Sequence, residues 1–272
     1  MSERIVCKPT PWFLLRAAAM LLMFGIFTVL FFIDGKWGYR EKNLSFYIGQ
    51  SFKQAGEEFQ NRQAGMGPEQ WRAFAEKQTV PFPEDRGILP EGTQVPMAWP
   101  EILHDYDAVK ASLSQEKNKL FNDYRLAANI KKDAPDHAYP AGKITEQWVV
   151  FYICLTLTLG AAWVLFRTLG RSMAIDGEAF YPADGGKVPF GDLVRLDLRK
   201  WDTKGLAFAW AGGGSAGERK IRIDGLTYGG FKKEQDEPAE RLMGRLKENF
   251  KGEIIEYVAE TEEPAEQAPP QS

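Results

Sequence analysis

Two long apolar blocks are the dominant feature of this sequence. The first, residues 12–33, contains 22 residues with Arg16 as its single charge, and the second, residues 148–166, contains 19 residues with no charge. Helices of these lengths would span roughly 28 to 33 Å, which matches the hydrocarbon core of a bilayer. The sequence therefore predicts two transmembrane helices, over residues 12–33 and 147–167, with the membrane lipid bilayer as a partner.

Charged residues beside the two blocks predict their orientation. Arg4, Lys8 and Arg16 flank the start of the first block, and Arg167 and Arg171 follow the second. Short basic flanks favour the cytoplasm, and an even number of spans places both termini on one side. A cleaved signal peptide is the alternative for the first block, but its apolar core would be too long and no small-residue cleavage site follows it.

The segment between the blocks, residues 34–146, is then extracytoplasmic. Its apolar residues recur every three or four positions, which predicts amphipathic helices. One helix continues from the first block, a short helix covers Pro68–Lys77, and a long helix starts at Pro100 with an interruption near Lys117. Prolines and glycines between 79 and 100 predict a connection without regular structure.

The apolar stripes of these helices are most simply explained by packing in a small bundle, in which the last helix returns along the first. A partner-binding face is the alternative use for them. The stripe residues are Leu44, Ile48, Phe52, Ala55 and Phe59 in the first helix, and Ile102, Tyr106, Val109, Leu113, Leu120, Tyr124 and Ala127 in the last.

Residues that carry metal or catalytic chemistry are few and scattered. The only histidines, His104 and His137, lie far apart without a cysteine or HExxH partner, so no metal site is expected. Cys7 and Cys154 predict no disulfide framework, and Cys7 lacks the preceding small residue of a lipoprotein processing site. No C-x-x-C and no close set of His and carboxylate residues occurs, so we expect neither an enzyme nor a cofactor.

Three other patterns carry weak alternatives. Asn43-Leu44-Ser45 matches a glycosylation sequon, which matters only in a eukaryotic secretory setting. The glycines at 212–217 are followed by Glu218-Arg219 where a phosphate-binding loop needs Gly-Lys, so we interpret them as a hairpin loop. The formal net charge of -3, with balanced charges in both polar parts, argues against a nucleic-acid partner.

In the C-terminal region the apolar residues recur at every second position. Apolar residues alternate with polar or small ones, which predicts half-buried antiparallel strands. Turns rich in Gly and Asp separate these strands at 182–186, 202–205 and 212–217. An amphipathic helix follows over about 238–250, with Gly252 as its stop. The alternating residues are Val194, Leu196 and Leu198; Leu206, Phe208 and Trp210; and Ile221 and Ile223.

This order of strands followed by one helix resembles the bacterial pleckstrin-homology-like (PH-like) domains that follow transmembrane helices. The resemblance covers under a third of the chain and rests on the runs Ile175–Tyr181, Lys187–Leu196 and Gly205–Phe208. It implies a small antiparallel β-barrel plugged by one helix, and a binding or assembly module instead of a catalyst. The run Ile254–Val258 departs from that pattern and is interpreted as an extra strand.

One candidate binding site follows from the basic residues of these strands. A basic face near the membrane would contact anionic lipid or a protein partner. A solvated strand face is the alternative, which the interspersed acids favour. The basic residues are Arg195, Arg199, Lys200, Lys220 and Arg222, and the acids are Asp192, Asp197, Asp202 and Asp224.

The sequence thus predicts an α+β membrane protein of the bacterial inner membrane, with both termini in the cytoplasm. Beside the two spans and the outer helical segment, it has a cytoplasmic stub at 1–11, a PH-like β domain at 172–258 and a disordered acidic tail at 259–272. The leading hypothesis is a non-enzymatic membrane scaffold or assembly subunit whose cytoplasmic domain docks a protein. The alternative is a transmembrane sensor that couples the outer segment to that domain, and homo-oligomerisation stays open.

Overall fold

Helices and short strands form an α+β structure, described by this computed structural model for residues 3–62, 64–116, 118–212, 218–233 and 236–257. The helices are α1 (Pro11–Ile33), α2 (Tyr39–Arg62), α3 (Pro68–Ala75), α4 (Tyr106–Ser112), α5 (Lys119–Ala127), α6 (Ala141–Leu169), α7 (Trp201–Lys204) and α8 (Pro238–Asn249). The strands are β1 (Ile5–Cys7), β2 (Met173–Ile175), β3 (Ala179–Tyr181), β4 (Val188–Pro189), β5 (Leu193–Asp197), β6 (Leu206–Gly212), β7 (Glu218–Asp224) and β8 (Glu253–Ile255). The glycine turn beyond Gly212 and the predicted tail at 259–272 lie outside the described residues.

The chain divides into two units. The β unit contains the residues up to Leu22 and those from Leu159 onward, and the helical unit contains residues 23–158. α1 and α6 hold the two apolar blocks, and both are long and apolar enough to cross a membrane. Only 11% of the most apolar stretch of the first helix and 6% of that of the second is buried, so packing in a protein core does not explain their composition.

Thr10 and Pro11 determine where α1 begins. Thr10 Oγ1 accepts a hydrogen bond from the backbone N–H of Phe13 (3.3 Å) and donates one to the carbonyl of Leu226 (2.9 Å). The backbone N–H of Thr10 donates to the carbonyl of Thr227 (2.9 Å). Pro11 occupies the first helical position, where a missing N–H is harmless. The start of the first apolar helix is therefore held by the C-terminal part of the β unit.

The helical unit packs α2 to α5 around an aromatic core. The predicted stripe of α2 is confirmed, since Ile48, Ala55 and Phe59 are buried. The rings of Phe59 and Trp71 lie 5.0 Å apart, and Trp71 Nε1 donates to the carbonyl of Leu103 (3.0 Å). α1 runs into α2 through a π-helical turn, so one nearly continuous helix leads from the apolar block into this core.

The prediction of one long helix starting at Pro100 is wrong in one respect, because the chain is already interrupted at Asp105. The chain forms a 3-10 turn at Glu101–His104, then α4, then α5. Asp105 is extended, and its Oδ1 accepts two backbone N–H groups from the first turn of α4 at 2.9 and 3.2 Å, so it starts a new helix. Asn118 has a φ of 65°, which separates α5 from the preceding turn. The predicted interruption at Lys117 lies outside the described residues.

Asn43 is fully buried and joins three segments of the helical unit. Its Nδ2 donates to the carbonyls of Ile88 (2.9 Å) and Tyr139 (3.0 Å), and its Oδ1 accepts the N–H of Tyr139 (2.7 Å). A glycan needs this nitrogen to be accessible. The folded chain therefore offers no acceptor at the sequon.

The β unit contains two four-stranded sheets and α8. The first sheet has the order β1-β2-β3-β4 and is antiparallel throughout. The second has the order β7-β6-β5-β8, in which β8 is parallel to β5. The predicted C-terminal helix is confirmed as α8, which buries Ala239, Leu242, Met243 and Leu246 in a core shared with both sheets.

Strand β1 comes from the segment that the sequence suggested was a stub. Ile5 pairs with Ile175, and Cys7 pairs with Met173. Ile5 and Cys7 are buried, whereas Val6 between them is exposed. The segment before the first apolar helix and the segment after the second therefore belong to one sheet.

The strands do not close into the predicted barrel. Across the part of the chain that the structure describes, no strand pairing joins the two sheets. β5 pairs with β6 on one edge and with β8 on the other, so neither edge is available for pairing with β4. The extra strand expected near Ile254 is confirmed as β8, which occupies the second edge of β5.

Candidate functional site

Strand β6 turns its small residues to the core and its large residues outward. Ala207 and Ala209 are 0% and 1% exposed, whereas Phe208 and Trp210 are half-buried on the other side of the strand. Ile221, the register partner of Ala209, fills the core beside it. Alternation predicts a two-sided strand, and the packing decides which side is inside.

The outward side of the second sheet forms what we call the aromatic face. Lys220 Nζ lies 4.1 Å from the ring centroid of Phe208 and 5.2 Å from that of Trp210. The guanidinium carbon of Arg195 lies 5.6 Å from the ring centroid of Trp210. These are cation–π distances. The residues of the aromatic face are Val194, Arg195, Phe208, Trp210, Lys220 and Arg222.

A β-bulge brings Val194 onto the aromatic face. The residues on either side of Val194 pair with consecutive residues of β6, so Val194 itself has no partner. It is 39% exposed and packs over Gly212, where a Cβ would come within 2.9 Å of Val194 Cγ1. Bulges of this kind re-aim a side chain, and here the bulge extends the apolar surface beside Trp210.

Acids beside the basic residues neutralise three of them. Arg199 holds the pKa of Asp197 below its usual value through a side-chain hydrogen bond. Exposed pairs of this kind add little stability, but they leave the rim of the aromatic face close to neutral. The pairs are Arg195–Glu253 (3.1 Å), Arg199–Asp197 (2.7 Å) and Arg222–Asp224 (2.6 Å).

The structure brings together only part of the predicted basic set. Arg195, Lys220 and Arg222 lie on the aromatic face, whereas Arg199 and Lys200 lie beyond the end of β5. Lys200 is exposed at the residue before α7. The sequence pattern did not single out Phe208 and Trp210 as surface residues, although their alternation with alanines was the available signal.

Cys7 lies in the core and is inaccessible to modification. Its side chain is 0% exposed, and its Sγ donates to the carbonyl of Pro238 (3.2 Å). Burial raises the pKa of the Cys7 thiol to about 12. A thiol with so high a pKa is a poor nucleophile.

The histidines lie in separate places in the helical unit. His104 lines an acidic cavity of about 740 Å³, and His137 is exposed in the linker before α6. Within the described ranges, no group of three or more His, Cys, Asp or Glu side chains is arranged to hold a metal ion. The acids of that cavity are Glu69, Glu76, Glu101, Asp105 and Asp107.

Comparison of the chain with protein-family models, with curated proteins and with solved structures found no match.

Proposed function

We propose that this chain is a membrane-anchored, non-enzymatic scaffold or assembly subunit whose C-terminal domain docks a protein partner through the aromatic face. In this proposal α1 and α6 cross a bacterial inner membrane, and residues 34–146 lie outside. Both termini and the PH-like domain lie in the cytoplasm. The observation that carries the proposal is the outward pair Phe208 and Trp210 within a charge-paired rim.

The composition of the aromatic face favours a protein partner. Protein interfaces have an aromatic and aliphatic centre surrounded by polar residues, and tryptophan and arginine dominate their binding energy. Trp210, Phe208 and Val194 form such a centre, with Arg195 beside it. Nucleic acid would require a concentration of unpaired cations, whereas Arg195 and Arg222 are already paired with acids.

The pairing of the N-terminal strand supports the placement of both chain termini on the same side of the membrane. β1 precedes α1 and β2 follows α6, and the two strands pair directly. Paired strands lie about 4.8 Å apart, whereas the two sides of a bilayer are separated by about 30 Å of hydrocarbon, so β1 and β2 must lie on the same side. The basic flanks then favour the cytoplasm for that side.

The order of elements in the β unit supports the PH-like assignment, because several strands are followed by one helix. β2 to β7 are followed by α8, whose apolar stripe packs into their core. The unit departs from a closed barrel through β8 and through the addition of β1. A fold of this kind does not define a function, so the proposal depends on the aromatic face.

Crosslinking and affinity capture from detergent extract test the proposal. The tagged full chain should recover a partner at a fixed stoichiometry, and the double variant Phe208→Ala and Trp210→Ala should reduce that recovery by about tenfold or more. Leu226→Ala is the matched control, because Leu226 is also an exposed apolar residue of the β unit but lies outside the aromatic face. Recovery of the monomer alone, or equal capture by both variants, would contradict the proposal.

A transmembrane sensor is the second candidate, and one arrangement favours it. Within the helical unit, α1 and α6 contact each other through Thr28 and Thr158, whose hydroxyl oxygens are 3.1 Å apart. Phe32 also packs against Trp148, at 5.8 Å between centroids. β1 lies directly before α1, and β2 lies directly after α6. A shift of one helix relative to the other would therefore strain the pairing of β1 with β2. Exchange of both spans for unrelated apolar helices should abolish any response of the β unit to changes in the outer segment.

A further inference from the structure

A cavity of about 480 Å³ lies in the β unit where one apolar helix begins and the other ends. Phe13, from the first turn of α1, and Val164, near the end of α6, form an apolar part of its wall. If both helices cross a membrane, these helix ends lie at the interface between hydrocarbon and headgroups. The cavity is then at the depth of the lipid phosphates.

Positive charge predominates in this cavity. Both carboxylates already pair with an arginine, at 3.0 and 2.6 Å. Arg167, Arg171 and Lys220 have no carboxylate within 4.0 Å among the residues described. They therefore remain available to an anion. The lining cations are Arg167, Arg171, Lys220 and Arg222, and the lining carboxylates are Asp184 and Asp224.

Two nearly buried hydroxyl groups border the same cavity. Thr168 and Tyr228 are 7% and 8% exposed. Burial raises the pKa of the Tyr228 phenol. Part of that shift is opposed by a hydrogen bond with Thr168 and by the positive charges of Arg171 and Arg167. Tyr228 is therefore a protonated hydroxyl at neutral pH, able to donate a hydrogen bond beside the two arginines.

We propose that this cavity binds the phosphate headgroup of an anionic phospholipid from the leaflet in which α1 begins and α6 ends. Guanidinium groups suit phosphate oxygens because they donate in a planar fork. Phe13 and Val164 suit the glycerol and upper acyl region of the same lipid. The inference rests on the membrane-spanning part of the proposed function. Lys220 and Arg222 also belong to the aromatic face, but lipid binding does not require a protein partner.

Lipid selectivity of the purified full chain tests this site. The chain in detergent micelles is titrated with phosphatidylglycerol or with phosphatidylcholine of the same acyl chains. Native mass spectrometry counts the bound lipid, and thermal unfolding reports the stabilisation. Phosphatidylglycerol should bind about tenfold or more tightly than phosphatidylcholine, because each basic residue near the interface contributes to anionic lipid binding. Equal binding of the two lipids would overturn the proposal.

Charge variants locate the binding. Arg171→Gln with Lys220→Gln should weaken phosphatidylglycerol binding by about tenfold or more. Arg199→Gln with Lys251→Gln removes the same charge from exposed positions outside the cavity and should retain the preference. If the first double variant does not fold, Lys220→Gln alone, at an exposed strand position, should give a smaller loss in the same direction. An equal loss in the control pair would also overturn the proposal.

Competition distinguishes a lipid from a soluble phosphate. Inorganic phosphate at millimolar concentration should not displace phosphatidylglycerol, because it lacks the apolar part that Phe13 and Val164 would contact. Efficient displacement would show that the cavity binds soluble phosphate, against the proposal. Since lipid is counted on the purified chain and docking is measured by capture, failure of this site is distinguishable from failure of the docking function.

Discussion

Ile5 is the register partner of Ile175 across β1 and β2, although both long apolar helices lie between these residues in the chain. Both side chains are buried in the core of the β unit. The sheet is thus assembled from the segment before α1 and the segment after α6. Completion of the β unit must therefore await synthesis of both apolar helices.

The two faces of β1 should respond differently to a charge. Ile5→Asp places a carboxylate in the core and should destabilise the β unit by about 3 kcal/mol or more. Val6→Asp should change stability by about 0.5 kcal/mol or less, because Val6 is 44% exposed on the other side of the strand. Thermal unfolding and limited proteolysis of the full chain in micelles measure the difference. Equal tolerance of both substitutions would contradict the pairing of β1.

Cysteine accessibility should place both ends of the chain on one side. Cys7 and Cys154 are buried, so a maleimide that does not cross membranes should label introduced cysteines preferentially. In oriented vesicles, Lys8→Cys and Lys251→Cys should react from the same side, and Glu76→Cys in the helical unit should react from the opposite side. Reaction of the first two from different sides would contradict the proposed topology.

Adjacent residues of β6 should tolerate substitution by leucine differently. Ala209→Leu should destabilise the β unit by about 1 to 3 kcal/mol, because Ala209 is 1% exposed and has no room for added methylenes. Phe208→Leu should cost under about 1.5 kcal/mol, since Phe208 is on the outward side of the strand. Thermal unfolding of the full chain provides the comparison, and the reverse order of stability would mean that the sheet faces are assigned wrongly.

Loss of the Asn43 side chain should destabilise the helical unit. Asn43→Ala removes three hydrogen bonds, at 2.7, 2.9 and 3.0 Å, and leaves the carbonyl of Ile88 and the N–H and carbonyl of Tyr139 without this partner. We expect a loss of about 2 to 4 kcal/mol. Gln54→Ala, an exposed position of the same helix, is the control. Urea denaturation followed by proteolysis of the helical unit measures both, and an unchanged midpoint for Asn43→Ala would count against the network.

Burial of Cys7 should make the stability of the β unit depend on pH in alkaline solution. The pKa of its thiol is about 12 in the folded chain against 9.0 as the ordinary value. The folded state therefore holds a proton that the unfolded state loses above pH 9. This contribution is fully present below pH 9 and is lost as the pH rises toward 12, with a slope of at most about 1.4 kcal/mol per pH unit.

Cys7→Ala isolates that contribution from the titration of lysines and tyrosines elsewhere. The advantage of the natural chain over Cys7→Ala in unfolding free energy should narrow between pH 9 and pH 12. Denaturant titration in micelles across that range measures it. A constant difference, or rapid labelling of Cys7 by maleimide at pH 8 in the folded chain, would contradict the buried thiol.

Local patterns in the sequence were enough to predict several features. A long apolar run with at most one charge favours a helix, so α1 matches the first block and α6 contains the second. The stripe of α8 and the alternation of β5 to β7 are equally local, because they follow from the period of each element. The sequence also assigned three basic residues to strands of one sheet, namely Arg195, Lys220 and Arg222.

Features that depend on pairing between distant segments could be seen only in the folded chain. The stub became β1 because its edge partner, β2, lies after the second apolar helix, a separation that no local pattern reports. The second sheet ends in β8, which pairs with the edge of β5, and no pairing joins the two sheets among the described residues. Trp210 faces outward because Ala209 fits the core and because Ile221 occupies the space beside it. Alternation defines two sides of a strand, but only the packing of the other elements makes one of them the inside.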